Sequence, residues 1–126
     1  MKHKISEMGN EHTEWLSALS FYKQELTTLK DRLTEIAGKN TATEMASQVE
    51  HFENQFKMQA EHIDILTHNI NKNLTISAIE AQANTAGYID ESLLKKHAEQ
   101  KEAFGTLEKV LKDLRAEFNT FAAKWM

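Results

Sequence analysis

Residues 45–70 read MASQVEHFENQFKMQAEHIDILTHNI. Within this stretch Met45, Val49, Phe52, Phe56, Gln59, Ile63, Leu66 and Ile70 are separated alternately by four and three residues. That alternation keeps one narrow side of an α-helix turned towards a partner. A long helix with a single apolar seam is not stable alone in water. It must bury the seam against other helices.

The same rhythm occurs on both sides. Upstream it runs through Trp15, Leu19, Tyr22, Leu26, Leu29, Leu33 and Ile36, and extends back through His12, Met8 and Ile5. Downstream it runs through Leu93, His97, Gln100, Phe104, Leu107, Leu111, Leu114, Phe118, Phe121 and Trp125. The chain has no proline and only four glycines in 126 residues, so little interrupts helix. The expectation is an all-α single domain over residues 1–126, with helices at about 6–38, 42–83 and 90–126.

The boundaries have local causes. Asn10 is placed as an N-cap for the first helix, although the seam behind it allows a start near Ile5 with Gly9 inside. Gly38 is placed to take the left-handed conformation that ends a helix. Thr41-Ala42-Thr43-Glu44 reads as a capping box opening the second. Near Asn69, Asn71 and Asn73 the second seam becomes ambiguous, since Asn is a poor interior helix residue. Continuation with a bend near Asn71 is expected, and a break giving four helices is the alternative. Gly87 marks the second turn and Asp90 caps the third helix.

Folding at these turns brings the seams into register. Ile36, Met45 and Trp125 share one level, Leu29, Phe52 and Phe118 another, and Trp15, Leu66 and Phe104 another. Agreement of three stretches predicts an elongated antiparallel up-down-up three-helix bundle with left-handed, coiled-coil-like packing. Tyr22 and Gln59 fall at one level, and a hydrogen bond between them is expected. Beyond Trp15 the layers turn polar through His12, Gln100, Asn73 and His97, so that end should be the looser one. The architecture, with Trp15-Leu16 in the first helix, resembles a single spectrin-type three-helix repeat.

Composition narrows the function classes. With no cysteine there is no disulfide framework, thiolate site or Cys nucleophile. The net charge is −4, and residues 90–126 carry seven basic and seven acidic side chains with no all-basic stripe, which argues against nucleic acid. No run of about eighteen apolar residues offers a membrane span, and the start of the chain lacks the apolar run of a secretory signal, so the expected location is cytoplasmic.

Six histidines raise a metal site, with His12 and His97 at the polar end as its candidates. Two histidines and nearby amides fall short of a zinc ligand set, and there is no Glu-x-x-His of the di-iron type. They read better as hydrogen-bonded layers that fix register, so no metal or other cofactor is expected. Phosphate-loop, His-Glu-x-x-His and Gly-x-Ser-x-Gly motifs are absent, and no enzyme is expected.

The expectation is therefore a structural or protein–protein interaction module. A small ligand- or metal-binding bundle using the His12/His97 end is the alternative. Off the seam of the second helix, Met58, Ile65, Ile76 and Ile79 form a second apolar stripe, with His62 interleaved. Phe21 falls near the Met58 level. A line of such residues marks an interface with another helical protein or, more simply, a homodimer. Acid would weaken a two-fold contact there, because imidazolium groups would face their own copies.

Overall fold

The computed structural model describes residues 5–40, 43–83 and 91–125, without the side chains of residues 5–8, 77, 78 and 80–83. Three helices pack against one another: α1 (Ile5–Lys39), α2 (Thr43–Ala83) and α3 (Glu91–Trp125). No strand occurs among the described residues. None of the helices, as far as described, is long and apolar enough to cross a membrane.

The seams are buried. Leu19, Leu33, Ile63, Ile70 and Phe118 are at most 1% exposed. Each such side chain contributes roughly 1.5–3 kcal/mol by leaving water. The core gathers Trp15 through Ile36 from α1, Met45 through Ile70 from α2 and Leu107 through Phe121 from α3. Val49, Phe104 and Trp125, at seam positions, are only half-buried. Ala122, one residue past the seam, is buried as well.

Near the first turn the core is aromatic. Phe52 meets Phe118 edge-on at 5.4 Å between ring centroids and Phe121 at 5.0 Å. Phe56 meets Phe118 edge-on at 5.5 Å. Edge-to-face pairs at this separation add to plain area burial through the ring quadrupoles. At the other end of the main core Trp15 stacks on Phe104 at 6.0 Å, as their shared level requires.

Polar side chains link all three helices. Lys23 of α1 donates to Asp64 of α2 at 2.6 Å. His51 of α2 meets Glu117 of α3 at 2.8 Å, and Lys124 donates to Glu44 at 3.4 Å. Arg115 of α3 donates to Glu25 of α1 at 3.0 Å, and the Tyr22 hydroxyl donates to Glu108 at 2.6 Å. The exposed pairs among these contribute little to stability.

Several local expectations need correction. The Tyr22 hydroxyl goes to Glu108, not to Gln59, whose amide oxygen instead faces His62 Nδ1 at 3.2 Å. A carboxylate accepts more strongly than an amide, so Glu108 wins the hydroxyl. Asn10 is not an N-cap, because α1 already begins at Ile5 and Gly9 lies inside it. Gly38 stays helical, and α1 continues to Lys39. Its end is served by Asn40, whose side-chain amide donates to the Ile36 carbonyl at 2.9 Å. That bond satisfies an orphan carbonyl that the glycine turn was expected to satisfy. α2 runs unbroken through Asn69, Asn71 and Asn73, so a break into four helices does not occur there. Asn73 keeps the seam position, 2% exposed, while Leu74 is half-buried. The Thr41-Ala42 half of the capping box and the expected turn at Gly87 and cap at Asp90 lie outside the described residues.

Candidate functional site

Two places on the molecule depart from a plain apolar bundle. The first is a groove between α2 and α3. On α2 the stripe residues Met58 and Ile65 are 44% and 59% exposed, and Ile79 is 62% exposed further along. Beside Ile65 the two helices leave a groove of about 610 Å³, floored by Leu66 and Leu107 and walled by His62, Ala103, Thr106 and Val110. The opening has a local cause. Where α3 passes this part of α2 it carries Ala103 and Thr106, too small to fill the space beside the seam. A second hollow of about 320 Å³ shares Leu66, Asn69, Glu99 and Ala103 with it and reaches Ile76.

The stripe is not uniform. Ile76 is half-buried and packs with Leu94 against Leu93, so it forms part of a small satellite core. Phe21 is 57% exposed but belongs to another flank. Its ring lies against Tyr22 at 5.8 Å, and Glu25, one turn on, pairs with Arg115 of α3. Its neighbourhood is therefore the α1–α3 side. Val110 of α3, 37% exposed, completes the groove and was not anticipated. The spacing Ala103–Thr106–Val110 beside the α3 seam carried that signal, weakly, because two of the three residues are small.

The second place is the polar layer. His12 is 0% exposed and His97 is 7% exposed. His97 Nδ1 meets His12 Nε2 at 3.0 Å, and His97 Nε2 meets Glu11 Oε1 at 3.2 Å. Trp15 stacks on the His97 ring at 4.9 Å. Beside them Asn73 donates to Gln100 at 3.5 Å, and Gln100 donates to the Asn69 carbonyl at 3.1 Å. His12 Nδ1 is buried with no hydrogen-bond partner among the described residues. Burial, aided by the nearby His97 and opposed by Glu11, lowers the His12 pKa from 6.5 to about 4.

The two histidines thus turn three of their four ring nitrogens towards each other and Glu11. Among the described residues no group of three or more His, Asp or Glu side chains is placed to hold a metal ion. His51, His62 and His68 are exposed and dispersed along α2. No protein-family model, no curated protein and no solved structure matches this chain.

Proposed function

We propose that the chain is a non-enzymatic interaction module that pairs with a second copy of itself through the α2–α3 face. The supporting observation is a ridge beside a groove: Ile65 projects next to the hollow over Leu66 and Leu107, with Met58 exposed two turns before it on α2. An isologous contact needs that combination, since a two-fold axis seats each copy's ridge in the other's groove. From Met58 to Ile79 the face is about 32 Å long, and two helices about 10 Å wide give on the order of 600 Å² per copy. Stable interfaces bury about 800 Å² per partner, so the dimer is of modest affinity.

The bundle behind this face is proposed as an elongated, up-down-up, left-handed one. The contacts support the directions. Partners in α1 and α3 rise together along the chain, His12 with His97, Tyr22 with Glu108 and Glu25 with Arg115. Partners in α2 and α3 run oppositely, Glu44 with Lys124, Phe52 with Phe118 and Asn73 with Gln100. The four–three seam spacing supports the hand.

Sedimentation of the wild type beside Met58→Glu/Ile65→Glu tests the pairing. At tens of micromolar, a range suited to modest interfaces, the wild type should run as a dimer and the variant as a folded monomer. A monomeric wild type at that concentration refutes the proposal.

A further inference from the structure

The polar layer has a feature that a register-fixing hydrogen bond does not need. Its proton inventory is fixed by geometry. Glu11, as a carboxylate, accepts from His97 Nε2, so the proton of neutral His97 sits on Nε2. His97 Nδ1 is then an acceptor, and His12 donates to it from Nε2. The remaining nitrogen, His12 Nδ1, carries a bare lone pair in a buried position without a partner. The neutral chain runs His12 to His97 to Glu11 with every other position satisfied.

Adding one proton breaks this arrangement whichever ring takes it. If His12 takes the proton directly, its Nδ1 gains an N–H. If His97 becomes the imidazolium, its Nδ1 donates to His12 Nε2, and the His12 proton must move to Nδ1. Both outcomes leave a buried N–H on His12 Nδ1 with no acceptor. An orphaned buried donor costs far more than a bare lone pair, especially on a charged ring system. Opening the layer to water removes that cost.

Beyond the layer, the described core of α3 is separate from the main one. Leu93 is the one buried apolar side chain of α3 there among the described residues. It forms its own small cluster with Ile76 and Leu94, separate from the main core. A stretch packed in its own cluster can open as a unit without the main core.

We propose that Glu11, His12 and His97 form an acid-sensitive latch that closes the N-terminal part of α3 onto α1 at neutral pH and releases it on protonation, while the aromatic end stays packed. Glu11 is the charged group facing the pair from α1. From α2 the neutral Asn73 donates to Gln100, one turn on from His97, with Lys72 on the outer hollow together with Lys96 and Glu99 of α3. The direction follows from the lowered His12 pKa. The open form binds the proton more tightly, so the closed form is fully favoured above about pH 6.5 and loses ground as pH falls towards 4. His12 alone raises the open population about thirty-fold between about pH 7.5 and about pH 5.

Amide hydrogen exchange of the full chain at those two pH values, corrected for intrinsic rates, tests the latch. Protection over residues 93–100 should fall about thirty-fold while residues 111–121 change by less than about three-fold. In His12→Gln, whose amide still donates to His97 but does not titrate, the acid loss over residues 93–100 should disappear. Imidazole nitrogen NMR of the wild type near pH 7.5 should find both rings protonated on Nε2. Equal loss of protection in both segments, unchanged protection over residues 93–100, an acid loss that persists in a folded His12→Gln, or a His12 proton on Nδ1 each overturns the proposal. The tautomer and the wild-type comparison decide it if His12→Gln does not fold.

Discussion

Replacing Phe118 by alanine is the sharpest test of the core. Phe118 is 0% exposed and sits where all three helices meet. Its ring contacts Phe52 at 5.4 Å, Phe56 at 5.5 Å and Phe121 at 5.9 Å, and the Arg32 guanidinium lies 5.9 Å from its centroid. Truncation removes the transfer energy of the ring and leaves a cavity among side chains that are themselves locked by neighbours. Phe→Ala at such sites costs about 3–5 kcal/mol, and the lost aromatic contacts favour the upper half, about 4 kcal/mol. Urea denaturation followed by helical circular dichroism measures it. With a slope of about 2 kcal/mol per molar, the midpoint should fall by about 2 M. The control lies in the same chain: Phe21, 57% exposed, should lose no more than about 0.5 kcal/mol on the same change. A loss below about 1 kcal/mol for Phe118→Ala, or equal losses at the two positions, would refute the packing argument.

Further outcomes follow from single contacts. Tyr22→Phe removes the 2.6 Å hydrogen bond to Glu108 and should cost about 1 kcal/mol at neutral pH, read from the same denaturation curves. Burial and the Glu108 hydrogen bond push the Tyr22 pKa up from 10 to about 12, so the wild type should lose stability as pH rises from 10 through 12, and the variant should lack that component. Gly105→Ala should stabilise by about 1 kcal/mol, because Gly105 is exposed inside α3 and an added Cβ meets nothing within 4 Å; an unchanged or lower melting temperature would contradict an open helical site. The dimer and latch experiments above complete the set.

The seams were legible because helix periodicity is a property of the chain alone. A side chain's direction on a helix is fixed by its number, so Leu19, Phe56 and Phe118 could be placed inside before any tertiary contact was known. The same argument placed Met58, Ile65 and Ile79 outside. It failed where position alone leaves a choice of partner. Tyr22 and Gln59 share a level, but a hydroxyl pairs with the strongest acceptor in reach, and Glu108 becomes that acceptor only once α3 is docked. Height along a bundle follows from counting residues, while flank depends on how each helix is rotated against two others.

Sequence by itself determined that three amphipathic helices must share one core, since their seams repeat with no proline to interrupt them. Tertiary structure alone decided what the polar residues do. The groove exists because the small residues of α3 happen to pass the Ile65 ridge of α2. The His12–His97–Glu11 chain exists because α1 and α3 bring residues more than eighty positions apart to within 3.2 Å. Burial of apolar groups is non-directional and survives averaging along a helix, whereas a hydrogen bond depends on distances of a few tenths of an ångström that only the packed structure supplies.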